Sequence, residues 1–219
     1  MSGEPQTAVR ATEPSSARLV ATLGLAGLLS GLIIVSAYEA TLPRIEAYKA
    51  RVLREAVFKV LPGVERMQRL VYRDGRLVPN EAEAKGEEAV FAGYDAQGRL
   101  VGYAIPAEGP GFQDLIRLLY GYRPETREVT GMEVLESRET PGLGDKIYKD
   151  AHFVANFDGL AVDPEIRAVK KGKKAAPNEI DAITGATISS KAVVRIMNAA
   201  NAIWLERLPA PEADPPASQ

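Results

Sequence analysis

Between Leu19 and Tyr38 the chain carries no charged residue. A helix of about 20 residues rises about 30 Å, the thickness of a bilayer's hydrocarbon core. This run is therefore expected to anchor the chain in a membrane and to leave the remainder to fold outside it. A cleaved leader is the alternative reading, and Val35-Ser36-Ala37 offers small residues at a cleavage position. Leader cores, however, run to only about 7–15 apolar residues, so a retained anchor is expected. Arg10 and Arg18 precede the span, offset by Glu4 and Glu13, while Arg44, Lys49, Arg51 and Arg54 follow it. Taken literally, the positive-inside rule would place the following domain in the cytoplasm, but that rule weakens for long translocated domains. Gly24, Gly27 and Gly31 lie within the run, and Gly27 to Gly31 is a small-xxx-small spacing of the kind that lets a second helix approach closely in lipid.

The remaining sequence narrows the chemistry. With 219 residues, 46% of them hydrophobic and 26% charged, the chain has enough material for one packed domain beside the anchor. Its formal charge of −2 gives no general attraction to nucleic acid. There are no cysteines, which excludes disulfides, thiolate-held iron–sulfur clusters and thioether-bound haem within this chain. His152 is the single histidine, so a multi-histidine metal site is excluded as well. Any redox chemistry here has to be carried by an organic cofactor.

After the span, Ile45, Tyr48, Val52, Ala56 and Val60 recur at helical spacing, and Pro62-Gly63 stops the pattern. Strands are expected at Arg69–Tyr72, Ala89–Tyr94, Leu100–Ile105, Leu115–Tyr122 and Val129–Glu136, with a hairpin turn at Asp95–Gly98. Ala151–Phe157 reads as a short helix and Lys170–Lys174 as a solvated basic loop. A last helix begins at Thr187, with Val193, Val194, Met197, Ala200 and Trp204 on its inner side, and ends before Pro209. His152 is expected to be structural or at the surface.

Two stretches carry chemistry. Asp181-Ala182-Ile183-Thr184-Gly185-Ala186-Thr187-Ile188-Ser189-Ser190-Lys191 is a small-residue turn leading into a helix start. The first N–H groups of a helix have no partner inside it and suit a phosphate, helped by the dipole. Ser190 and Lys191, three and four positions beyond Thr187, are expected to add a hydroxyl and a positive charge on the same face. By local physics alone the stretch equally fits an ordinary helix start with Thr187 as N-cap. Glu139-Thr140-Pro141-Gly142-Leu143-Gly144-Asp145-Lys146 is a turn with one fixed φ and two glycines, and alone it reads as a structural loop.

Taken together, the two stretches resemble the motifs of covalently flavinylated FMN-binding domains. Thr184 to Ser190 is similar to [Ser/Thr]-Gly-Ala-Thr-x-[Ser/Thr]-Ser, and Glu139 to Gly144 is similar to Glu-Thr-Pro-Gly-Leu-Gly. With the single span, residues 19 to 208 resemble the family of the G subunit of the Rnf ion-translocating oxidoreductase complex. The C subunit of the sodium-translocating NADH:quinone reductase is its cousin. The resemblance implies a phosphoester between FMN and Thr187, with Thr184, Gly185, Ala186, Ser190, Lys191 and Asp181 around it. Asp181 matches the acidic position linked to recognition by a flavin transferase. The resemblance also implies that Glu139, Thr140, Gly142, Leu143 and Gly144 lie against the flavin ring. The sequence departs from the family at Gly109–Asp114, which lacks the usual extra glycines, and at Ser137, where histidine is frequent; neither is assigned a role.

The expected fold is α+β: one transmembrane helix, then a mixed domain of antiparallel strands flanked by helices. Its parts are a disordered cytoplasmic tail at 1–17, the span at 18–38, an amphipathic connection at 39–63, the FMN-binding domain at 64–208 and a disordered tail at 209–219. The implied role is electron relay, without a catalytic residue or metal, between redox subunits of an inner-membrane complex that couples ferredoxin/NAD electron transfer to ion movement, with the flavin domain on the periplasmic side. A stand-alone flavinylated carrier and a cofactor-free tethered scaffold are the alternatives. Flavin that stays on the denatured chain, and is lost in Thr187→Val, distinguishes the flavinylated readings from the scaffold.

Overall fold

The computed structural model describes residues 15–80 and 87–209. The tails expected at 1–17 and 209–219 therefore lie outside the described residues, apart from 15–17 and 209. The chain divides into two compact units, Met1–Ala50 and Arg51–Gln219.

In the first unit the uncharged run belongs to helix α1, Ser16–Val60, which contains Pro43. An 18-residue window of this helix has mean hydropathy 2.2 and none of it is buried, so it is long and apolar enough to cross a membrane. Span and amphipathic connection, separate in the sequence reading, thus belong to one helical element that ends at Val60. The last turns of α1, from Arg51 on, belong to the second unit.

That unit is built on a seven-stranded antiparallel sheet in the order β2-β1-β3-β4-β5-β6-β7. Its strands are β1 (Arg66–Arg73), β2 (Arg76–Pro79), β3 (Ala89–Tyr94), β4 (Leu100–Pro110), β5 (Leu115–Arg123), β6 (Glu128–Ser137) and β7 (Leu160–Ala161). Two short helices, α2 (Lys146–Lys149) and α3 (Ala151–Val154), and a 3-10 turn (Ala155–Phe157) join β6 to β7. A parallel pair, β8 (Arg167–Lys170) and β9 (Glu179–Ala182), then leads into α4 (Thr187–Trp204).

Strict alternation along the central strands sends side chains to two different cores. Val90, Ile105, Leu118 and Tyr120 face α4, where Val193, Ile196, Met197 and Trp204 are buried. Phe91, Ala104 and Leu119 face the other way, onto Ala56, Val57 and Val60 of the last turns of α1. Both faces of the sheet are thereby covered, which explains why its strands read as nearly continuous apolar runs.

The α4 core contains one polar crossing. The Tyr120 hydroxyl donates to Asn201 Oδ1 at 2.7 Å, and both residues are buried. Burial raises the phenol pKa far above its ordinary value, so Tyr120 stays a donor at any practical pH. Asn201 Nδ2 is itself buried without a partner among the described residues. Tyr120→Phe would leave the whole amide unpaired, and a loss of about 1–3 kcal/mol is expected. Chemical denaturation of the two proteins side by side measures it; an unchanged midpoint would show that the amide finds another partner.

Candidate functional site

The chain enters α4 through a turn at Ile183–Ala186, in which Gly185 holds φ at 84°, a conformation that suits glycine. Ala186 N donates to Ile183 O at 3.0 Å and Ser190 N to Ala186 O at 2.9 Å, closing the first helical turn. Ala186, not Thr187, occupies the N-cap position, and no side chain among the described residues caps the helix. Thr187 is the first helical residue and is exposed, as are Thr184, Gly185, Ile188 and Lys191. Its hydroxyl lies 3.5 Å from Ile183 O, at the outer limit of a hydrogen bond. Among the described residues, the first-turn amides of this 18-residue helix thus have no side-chain cap, and an exposed hydroxyl and an exposed ammonium lie in the same turn.

Ser190 corrects the sequence expectation. It is fully buried, donates from Oγ to Ala186 O at 2.9 Å and accepts from Ile183 N at 3.1 Å. Its hydroxyl is spent on fixing the turn, so it offers nothing to a ligand at the surface. Asp181 is engaged in a similar way: Oδ1 accepts from Gly172 N at 2.8 Å and from Lys173 N at 3.3 Å. Its carboxylate therefore pins the basic loop that joins β8 to β9. A cleft of about 350 Å³ beside it is lined by Asp150, His152, Phe153, Asn156, Lys171 and Asp181 through Ile183, and Thr187 is not among its walls. His152 is exposed, as expected.

The second stretch is brought against the first by one buried carboxylate. Glu139 is 5% exposed. Its Oε1 accepts from Phe112 N at 2.8 Å and from Gln113 N at 3.0 Å, while its Oε2 accepts from the Ser189 hydroxyl at 2.5 Å. Three segments meet there: the β4–β5 turn, the loop after β6 and the first turn of α4. Neighbouring glycines make the space. A Cβ at Gly144 would lie 2.6 Å from Glu139 Oε2 and 2.9 Å from Ser189 Oγ, and one at Gly111 would strike Glu139 Oε1. A second tie links the loop after β6 to the β4–β5 turn, from the Thr140 hydroxyl to Gln113 Oε1 at 2.8 Å. The Arg195 guanidinium also donates to the Pro110 carbonyl, fastening the β4–β5 turn to the outer face of α4.

The loop from Thr140 to Gly144 folds on itself, with Leu143 N and Asp145 N donating to Thr140 O at 3.2 and 3.3 Å. This directs Leu143 outward, 48% exposed, and a Cβ at Gly185 would lie 3.8 Å from its Cδ2. Phe112 is 63% exposed and Ile188 60%. Three large apolar side chains are thus held at the surface by the segments that Glu139 joins. Gly109–Asp114, to which the sequence assigned no role, supplies one of these residues and two of the donors to Glu139. Gly142 and Pro141 are exposed in the same loop.

Burial by itself would raise the Glu139 pKa, but hydrogen bonds from Gln113 N–H, the Ser189 hydroxyl and Phe112 N–H outweigh it and hold the carboxyl below the ordinary Glu value. Because the folded pKa is depressed, the stabilisation is present above the unfolded value of about 4.3 and is lost as pH falls through the lower folded value. Amide exchange at Phe112 and Gln113, corrected for intrinsic rates, should accelerate through that acid window relative to the sheet. Parallel behaviour of the two regions would contradict this.

The arrangement suits FMN on three counts: amides and a cation for a phosphate, an exposed hydroxyl beside them, and an apolar surface for a ring system. Comparison with known proteins agrees. A family model described as the FMN-binding domain matches residues 111–202. The G subunit of the ion-translocating oxidoreductase complex of Methanosarcina acetivorans is 28% identical, covering 84% of this chain and 91% of that protein. The G subunit of the Na(+)-translocating ferredoxin:NAD(+) oxidoreductase complex of Acetobacterium woodii is 32% identical, covering 64% of this chain and 68% of that protein. Among solved structures, NqrC of Shewanella oneidensis shares the fold with a TM-score of 0.59 and 21% identity, covering 69% of this chain and 91% of that one. Fold and site define an FMN-binding domain carried behind an N-terminal membrane anchor. The chain belongs to the G-subunit family of the ion-translocating oxidoreductase complexes.

Proposed function

We propose that this chain holds FMN as a phosphoester on Thr187 and relays electrons between redox subunits of an Rnf-type membrane complex, which couples ferredoxin/NAD electron transfer to ion translocation. The observation that carries this reading is the start of α4, uncapped by any side chain among the described residues, where Thr187 is exposed two residues beyond Gly185, which lies beside Leu143. Bound FMN supplies the electron storage, accepting one or two electrons and so linking one-electron partners to a two-electron couple.

The residues of this chain do the rest. The first-turn amides and Lys191 balance the phosphate charge, and Gly185 keeps the approach to it open. Phe112, Leu143 and Ile188 cover apolar ring surface and exclude water from it. Ser190 and Asp181 act one layer behind, by holding the turn and the β8–β9 loop in place. Esterification requires a flavin transferase as maturation partner. A tethered cofactor is retained where free FMN is scarce, which fits a domain on the periplasmic side of the inner membrane. The charge distribution around the span does not itself favour that side.

The test is direct. The full chain, produced together with a flavin transferase and then fully denatured, is expected to keep yellow fluorescence on the polypeptide and to gain the mass of one FMN less one water. A chain that loads FMN reversibly but loses it on denaturation would sink the covalent part of the proposal.

A further inference from the structure

Glu139 lies behind the seat just described and touches neither surface of it directly. Its oxygens accept from the Phe112 and Gln113 N–H groups on one side and from the Ser189 hydroxyl on the other, and the Asp114 N–H also acts on the carboxylate. A neutral carboxylic acid would have to reverse the Ser189 bond by donating its own proton to that hydroxyl, whereas the ionised carboxylate accepts from all these groups at once. The two glycines beside it leave no room for side chains that could hold the segments apart.

We propose that Glu139 is a positioning residue for the flavin: its carboxylate locks the ring-side turn at Phe112 to the phosphate-side helix at Ser189, and places a fixed negative charge beneath the seat. The proposal rests on the FMN reading above for its second half only. Reduction adds electron density to the ring, and a nearby buried negative charge disfavours that, because a low-dielectric surrounding screens it weakly. Glu139 therefore holds the flavin's midpoint potential down. The same carboxylate keeps the two halves of the seat in register, because removing one partner leaves buried donors unpaired.

Glu139→Gln separates charge from shape. Its amide oxygen can keep the Phe112 and Gln113 N–H bonds, and its NH2 can donate to Ser189 Oγ, since a hydroxyl also accepts. In the full-length flavinylated protein this variant is expected to melt like the wild type, to keep its flavin and to show a midpoint shifted upward in a spectroelectrochemical titration. Wild-type loading with a wild-type midpoint would overturn the proposal. Should Glu139→Gln not fold, Glu139→Asp serves instead: it keeps the charge but is one methylene too short to span both partners. Amide exchange at Phe112 and Gln113 in the flavin-free Asp variant is expected to rise at least tenfold while the sheet stays protected; unchanged exchange would overturn the proposal. Because this last readout needs no cofactor, it stands even if the wild type carries no covalent flavin, a result that would sink the Thr187 reading and not the clamp.

Discussion

Thr187→Val is expected to abolish denaturation-resistant flavin completely while leaving the fold intact. Valine keeps the β-branched shape and removes only the hydroxyl. The hydroxyl gives the folded protein little, since its hydrogen bond among the described residues, to Ile183 O, is 3.5 Å long and the residue is exposed. Exposed substitutions of this type usually change stability by less than about 0.5 kcal/mol. A loss of flavin without a shift in melting therefore isolates the attachment chemistry. Thr184→Val is the internal control. Thr184 is exposed as well, but it lies ahead of Gly185 and outside the helix. Flavin should persist on the Thr184 variant and vanish from the Thr187 variant, as read by in-gel fluorescence and intact mass. The reverse pattern would move the attachment point off the helix and undo the phosphate geometry argued from α4.

How much of this was legible in the sequence depends on range. Ala89–Tyr94 emerges as β3 with the boundaries read from its pattern, and α4 begins at Thr187 and buries Val193, Val194, Met197, Ala200 and Trp204 as the spacing indicates. Long amphipathic segments carry their own period, so they can be read locally. β2, β7, β8 and β9 have only two to four residues, too few for any period, and β8 ends within what reads as a basic loop. Ser190 shows a subtler limit. At about 100° per residue, Ser190 and Lys191 lie on either side of Thr187, about 60° one way and about 40° the other. Only the packing of α4 on the sheet decides that the serine turns inward and the lysine outward. The Glu139–Ser189 bond joins residues 50 positions apart, and no local pattern encodes it. The motif resemblance picked out Glu139, but its inward direction and its partners are tertiary facts.

The last turns of α1 meet the sheet at a point where the backbone allows no side chain, and this gives the largest expected effect on stability. The last carbonyls of a helix lack partners within it. At the end of α1 the Val60 carbonyl is taken by the Thr130 hydroxyl of β6 at 2.6 Å, in a buried position. For β6 to reach it, the neighbouring strand β5 must carry nothing between. A Cβ at Gly121 would run into the Val60 carbonyl oxygen and Thr130 Oγ1 together. The obstacle on one side is backbone, so no side-chain rotation relieves it. Gly121→Ala must therefore either lift the end of α1 off the sheet or break the Thr130 bond. Lifting it uncovers Val57, Val60 and Leu119, each fully or almost fully buried. Overpacking alone costs about 1–3 kcal/mol, and an unpaired buried carbonyl adds about 1–3 kcal/mol. Against a typical total of about 5–15 kcal/mol, that is a large fraction. Gly121→Ala in the full-length protein should thus lower the denaturation midpoint sharply and increase proteolysis near Pro62. Thr130→Val, which removes the bond without the clash, should cost less than Gly121→Ala. If the two variants were equally stable, the contact would be held by the hydrogen bond rather than by close approach of the two backbones.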